Sequence, residues 1–313
     1  MAESVQSLKK RIKSIGNIKK ITKAMELVAA TKMRRSQEIA LASRPYAFAA
    51  LDLLANIKLI EKSKGLKMPE LLQPRKVKKV LFVLVASDKG LAGAFNSGLF
   101  RKFEQFRGSN HGTEEVFAAV GEKSFQYLSR KKYQVVKKFT NVGDFTTAEQ
   151  VKPLADFIVK GYLDKSWDQV VIFSTHFKSA LKQEAMVRRV LPVSFDNIKE
   201  TIQEIVPTAG KFAELAERYK KQDTITKSAD YTIEPSAEKV LENLAKHLLF
   251  MQVYHVILEA NASEHSARRM AMKTASDNAS DLGDKLNLQY NKSRQGAITT
   301  QIIEISSGAE ALS

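Results

Sequence analysis

Cysteine is absent from this 313-residue chain. That excludes disulfides, thiolate metal sites and cysteine nucleophiles, and it suits a reducing compartment. Long apolar runs are missing too. None approaches the roughly 18–20 uncharged residues that a membrane span needs, and the start of the chain interleaves Lys with Ile where a signal peptide would place an apolar core. The expectation is a soluble protein that is not exported. Helix breakers are scarce at both ends: only Gly16 interrupts the chain before Pro45, and neither Gly nor Pro occurs between Pro235 and Gly283. Acids are scarce where bases crowd. Lys9, Lys10, Arg11, Lys13, Lys19, Lys20, Lys23, Lys32, Arg34 and Arg35 face the single acid Glu26. A solvated helix face normally mixes signs to gain pairs one turn apart. This one-signed run, in a chain of net charge +16, points instead to an acidic partner.

What is present is two long amphipathic ends. Leu8, Ile12, Ile15, Ile21, Met25 and Val28 form one apolar stripe. Leu241, Leu244, Leu248, Met251, Leu258, Ala262, Ala275, Ala279, Leu282 and Leu286 form another. Helices over 4–57 and 236–306 would each reach roughly 80–100 Å, too long to bury a stripe against a small domain. The nearest partner of similar length is the other end of the same chain, so an antiparallel two-stranded coiled coil is expected.

Between the ends the pattern changes. Residues 80–86 and 170–174 are continuous apolar runs, as in strands buried on both faces of a parallel sheet. Residues 116–120 and 133–136 are further strands, and 186–192 an edge strand. Helical patterns fall at 96–106, 122–130 and 147–162, the last capped by Thr146 or Thr147. Strand and helix alternate, so the fold class is α/β: a central Rossmann-like domain beside the coiled coil. The expected division is 1–61 N-terminal helix, 62–78 linker, 79–194 central domain, 195–234 an insert and return segment, and 235–313 C-terminal helix.

Chemistry is sparse. The Gly-containing turn from Ser87 to Asn96 follows a strand and precedes a helix, yet it is neither G-x-G-x-x-G nor a P-loop, so a tight turn explains it. His111, His176, His247, His255 and His265 show no metal spacing and no Ser–His–acid set. No catalytic residue, cofactor or metal is expected.

Several stretches carry a resemblance. Residues 21–34 (ITKAMELVAATKMR), Ser43-Arg44-Pro45-Tyr46, Ser87-Asp88-Lys89-Gly90-Leu91-Ala92-Gly93, residues 263–273 (SEHSARRMAMK), Ser276-Asp277-Asn278-Ala279, and Tyr290-Asn291-Lys292-Ser293-Arg294-Gln295 with Ile298-Thr299 resemble the gamma subunits of rotary F-type ATP synthases. The resemblance covers nearly the whole chain. It implies a non-catalytic central rotor shaft standing in a ring of three alpha and three beta subunits. The base of the shaft would meet the epsilon subunit and the membrane ring of c subunits, on the cytoplasmic face of a bacterial inner membrane. It also implies partner-contact residues. Lys23 and Met25 would face acidic beta-subunit loops, Arg268 would communicate with that region, and Arg294, Gln295 and Thr299 would meet a beta-subunit catch loop. An insert at about 197–228 departs from the shorter bacterial pattern. The photosynthetic members' cysteine-based redox control cannot apply to a chain without cysteine. Residue chemistry alone leaves two other readings: a nucleic-acid-binding coiled coil, against which stands the lack of stacking aromatics in the basic run, and a small nucleotide-using enzyme, which lacks a phosphate loop.

Overall fold

The computed structural model describes residues 4–42, 68–108, 112–144, 146–193 and 236–311. The expected run of the first helix to residue 57, the Pro45 break, the first part of the linker, the insert and Pro235 lie outside them. The chain divides into two units, Ala30–Arg268 and Met1–Ala29 with Arg269–Ser313.

The larger unit is built on a five-stranded sheet. Its strands are β1 (Lys79–Val85), β2 (Glu114–Val120), β3 (Val135–Phe139), β4 (Gln169–Phe177) and β5 (Gln183–Leu191), in the spatial order β3-β2-β1-β4-β5. The first four are parallel and β5 is antiparallel. Antiparallel pairing lets a short hairpin join β4 to β5, whereas each parallel step needs a crossover. The crossovers are α2 (Phe95–Gly108), α3 (Glu122–Arg130) and α4 (Ala148–Leu163). Thr147 caps α4 in a capping box with Gln150, whose side chain accepts from the Thr147 N–H at 2.9 Å.

Side chains alternate along β1 and divide the core in two. Leu81, Val83 and Val85 face one cluster with Leu154 and Ile158 of α4 and Leu249, Val253, Val256, Ile257 and Ala260 of the last helix, α5 (Ala237–Ala311). Val80, Phe82 and Leu84 face the other, with Leu99 and Phe103 of α2 and Leu128 of α3. There Phe82, Phe103 and Phe173 meet edge to face at 5.1–6.2 Å between ring centres, the arrangement that the ring quadrupole favours.

Residues 251–266 of α5 are buried on every side. That corrects the expectation of a one-sided stripe for this stretch. All-round burial normally goes with an all-apolar helix. This stretch instead holds Gln252, His255, Glu259, Asn261, Ser263, Glu264, His265 and Ser266, and buried polar groups need partners.

The smaller unit is a helix pair. The side chain of Lys19 on α1 (Val5–Ala42) donates to Ser280 Oγ at 2.9 Å, and Ile15 Cγ2 lies 3.8 Å from the Cβ position of Gly283. One number rises as the other falls, so the helices run antiparallel. Partly or fully buried positions recur at 5, 8, 12, 15, 22, 26 and 29 on α1, and at 272, 276, 279, 283, 286, 290 and 293 on α5. Alternating steps of three and four are the seven-residue repeat of a coiled coil. The seam differs from the stripe expected on α1. It continues from Ile15 through Lys19, Thr22, Glu26 and Ala29, while Ile21 and Val28 are 59% and 55% exposed. On α5 it passes through Gly283, and Leu282 faces out. Small and polar residues fill the seam beyond Ile15, and Ile18, Ile21, Leu27 and Val28 of α1 lie outside it, exposed.

Candidate functional site

The polar residues of the buried α5 stretch form a collar of bonds to surrounding loops. Asn261 Nδ2 donates to the Val142 carbonyl at 2.8 Å and to Thr146 Oγ1 at 2.7 Å, and the Tyr254 hydroxyl donates to the Thr146 carbonyl at 3.2 Å. Ser263 donates to the Thr175 carbonyl and Ser266 to the Ala180 carbonyl, so both grip the β4–β5 hairpin.

At the end of this stretch Arg268 closes a clasp. Its guanidinium lies 2.7 Å from Glu264 Oε1 and donates to the carbonyls of Lys89 and Gly90, each at 3.2 Å, in the turn after β1. That turn is itself held. The Ser87 N–H donates to Asn96 Oδ1, and Asp88 accepts from the backbone N–H groups of Glu122 and Asn141. The Gly-containing stretch is thus a tied βα turn, in which Asn96 accepts from the first N–H and Asp88 holds two neighbouring loops, in keeping with the turn expected there.

His265 completes the clasp as a neutral ring. Nε2 donates to the Gly143 carbonyl at 3.0 Å, and Nδ1 lies 3.3 Å from Arg268 Nη1 and accepts from it. Protonation would point an N–H at the guanidinium. Burial and then the Arg268 cation therefore lower its pKa from 6.5 to about 4, against the pull of Asp144. Glu264 moves the other way. Burial outweighs its ion pair with Arg268, Asp144 and Asp88 add repulsion, and its pKa rises from 4.5 to about 7. Asp144 pairs with Lys32 of α1 at 2.6 Å. Burial would raise its pKa, but Lys32 and His265 hold it below the ordinary carboxylate range.

The remaining expected contact residues lie on the helix pair. Lys23 reaches forward one turn to Glu26 at 2.9 Å and supplies the counter-charge to a carboxylate buried in the seam. Met25 is half-buried beside it. Arg294, Gln295 and Thr299 are exposed, and the Thr299 hydroxyl donates to the Gln295 carbonyl one turn back. The pair's register sets Val5 opposite residues 293–294, so Arg294 and Gln295 lie level with the first described residues of α1 and Thr299 lies past them. Leu288, Ile298, Ile302, Ile303 and Ile305 are exposed on the same turns.

A family model described as ATP synthase matches residues 4–312. Sequences called ATP synthase gamma chain agree over nearly their whole length. The one from Moorella thermoacetica is 36% identical, covering 98% of this chain and 99% of its own. The one from Herpetosiphon aurantiacus is 38% identical, covering 99% of each. The chain belongs to the ATP synthase gamma-chain family. Solved structures of that enzyme share the fold. A chain of the Euglena gracilis mitochondrial ATP synthase superposes with a TM-score of 0.63 at 14% identity, over 98% of this chain and 94% of that one. A chain of the Tetrahymena thermophila mitochondrial ATP synthase central stalk and c-ring structure gives 0.55 at 23%, over 82% and 99%. The gamma chain is the central-shaft subunit of ATP synthase, and among the described residues no helix is long and apolar enough to cross a membrane.

Sequence reasoning named Arg268 of the gamma-chain clasp but missed Glu264, His265, Asp144 and Lys32 as its companions. The signal available was the density of polar residues in a helix stretch otherwise fit for a core. It also missed Glu259, whose partners lie 71 and 83 residues away.

Proposed function

We propose that this chain turns as the rotor of an F-type ATP synthase. Ion flow through a ring of membrane c subunits drives it, and its asymmetry takes the catalytic sites of an alpha3beta3 ring through their states in turn. The chain contributes no catalytic group, since those sites lie on the beta subunits. It binds the epsilon subunit and the c ring near its sheet unit, and works on the cytoplasmic face of a bacterial plasma membrane without a span of its own. The division into residues 1–61, 62–78, 79–194, 195–234 and 235–313 belongs to the same reading.

The observation that carries it is the outward apolar stripe of the helix pair. Ile18, Ile21, Leu27 and Val28 on α1 and Leu288, Ile298, Ile302, Ile303 and Ile305 on α5 are exposed in the free chain. Apolar surface of this extent marks a contact site, and it flanks Lys23, Met25, Arg294, Gln295 and Thr299, the residues proposed to touch the ring. Lys23 lies in a run where cations far outnumber acids, which suits acidic beta-subunit loops. Arg268 acts through the clasp on the turn after β1.

The test is co-expression with alpha and beta subunits from the same source, followed by native mass spectrometry. One copy per three alpha and three beta subunits, with ATP hydrolysis that depends on this chain, is the expected result. A chain that stays apart, or binds each beta subunit in equal number, would refute the rotor.

A further inference from the structure

Tyr254, Asn261, His265 and Ser266 on the buried stretch of α5 bond to loops. Glu259 bonds instead to side chains of the sheet, from a position only 5% exposed. Its Oε2 lies 2.9 Å from Arg188 Nη2 of β5, and its Oε1 accepts from His176 Nδ1 of β4 at 3.2 Å. Arg188 Nη1 donates in turn to Ser174 Oγ at 3.2 Å. Ser174 and His176 are two residues apart on one strand, so they project from the same sheet face. Arg188 pairs opposite Ile172 in the antiparallel register, and Ile172 packs in the cluster that contains α5. The sheet therefore presents a cation, an imidazole and a hydroxyl to one carboxylate on the helix.

A buried ion pair is a poor source of net stability, because desolvation offsets most of the attraction, but it has one geometry. Apolar side chains would tolerate a small slip of the helix and lose only some packing. A slip of one residue turns a helix by about 100° and shifts it by about 1.5 Å. Glu259 would then be a buried carboxylate carried away from Arg188 and His176, and Arg188 would lose its counter-charge. The loop contacts oppose the same motion from the other side. At about 100° per residue, Glu259, Ser263 and Ser266 share one face of the helix, while Tyr254, Asn261, His265 and Arg268 fall on the opposite one. The helix is gripped from both sides, so twisting it about its axis breaks bonds on two faces at once.

We propose that Glu259, with Arg188 and His176, is a register lock that carries turning force between the sheet and α5: a positioning residue for rotary coupling, with no part in the chemistry. The proposal rests on the rotor reading and adds to it the place where the sheet holds the helix against twist.

The experiment uses the whole ATP synthase in membrane vesicles, with R188M/E259M replacing the charged pair by apolar groups of similar length. A reporter fixed to the sheet unit of the rotor reads the spread of angles at each catalytic pause. The lock predicts a normally assembled complex with an unchanged rate of ATP hydrolysis, a spread of angles several-fold wider, and a several-fold lower ratio of ion-driven ATP synthesis to hydrolysis. A purely structural role would move melting temperature and leave the spread and the ratio alone. E259Q, which keeps the shape and removes the charge, is the second variant and is expected to widen the spread in the same sense. R188K keeps a cation at this site and is expected to recover part of the lost ratio. A spread and a ratio equal to wild type in R188M/E259M, or in E259Q if the double variant does not assemble, would overturn the lock. The wild-type control separates the two ideas: a wild-type complex whose reporter does not turn during hydrolysis refutes the rotor itself.

Discussion

One helix, α5, is held in two ways. Over residues 251–266 it is buried on every side and bonded to loops and strands, whereas over residues 272–293 it buries one narrow seam against α1. The first environment combines large apolar contacts with polar groups bonded to loops and strands. The second is made largely of small and polar residues such as Thr22, Ala29, Ser276, Ala279 and Gly283, with Leu8, Ile12, Ile15 and Leu286 at one end. The difference teaches where each part meets its surroundings. The sheet unit fixes the helix from within, and the pair leaves Ile18, Ile21, Leu27 and Val28 of α1 facing outward.

The contrast predicts unequal costs. Ile257→Ala, inside the collar, should lower stability by about 2–5 kcal/mol, because a residue 1% exposed in a dense core leaves a cavity. Urea denaturation of the chain measures it, and a loss no larger than that of a surface substitution would erase the difference between the two environments.

The next effect depends on pH. Glu264 binds its proton more tightly in the folded chain than its ordinary value of 4.5 allows, so its contribution is full below that pH and is lost as pH rises through about 7. His265 binds its proton less tightly than its ordinary 6.5, so its contribution is present above that pH and is lost as pH falls through about 4. Between about 4.5 and 6.5 the slopes oppose and nearly cancel. E264Q should uncover a melting temperature that rises with pH across that window, and H265Q one that falls, each spanning on the order of 2–3 kcal/mol. Parallel, flat profiles in both variants would show that the clasp does not titrate this way.

Smaller again is a gain in the seam. The Cβ position of Gly283 has 3.8 Å to Ile15, an ordinary contact, so Gly283→Ala should stabilise the pair by about 0.5–1 kcal/mol. A lower melting temperature would mean that the seam is tighter than this spacing. The smallest change in stability, within about 0.5 kcal/mol, is expected for the exposed Gln295→Leu, whose effect belongs to the assembled enzyme: a reduced rate of ATP synthesis with the fold intact. An unchanged rate would remove Gln295 from the contact set.

Much of the sheet unit was legible because its signals are local. The run at 80–86 lies within one residue of β1, the helix at 122–130 coincides with α3, and Thr147 caps α4 as its side chain allows. The helix pair was legible as a pair but not in its facing. Hydrophobic periodicity assumes that apolar residues turn inward within their own chain. Ile21 and Val28 break that assumption because they face outward, while Thr22 and Glu26 are buried through a back-bond to the Ile18 carbonyl and an ion pair to Lys23. Glu259, Arg188 and His176 were silent because a hairpin and a returning helix bring them together, and no spacing along the chain records that meeting.

The exposed isoleucines at the end of α5 also bear on how the chain can be made. Ile298, Ile302, Ile303 and Ile305 face water over the last turns, and nothing on the described part of α1 reaches them. Two free copies offer each other the same greasy surface, so surplus chain is its own competitor for that surface. On the rotor reading proposed above, solubility then depends on supply: synthesis of this subunit has to keep step with that of the ring, at one copy for each completed ring.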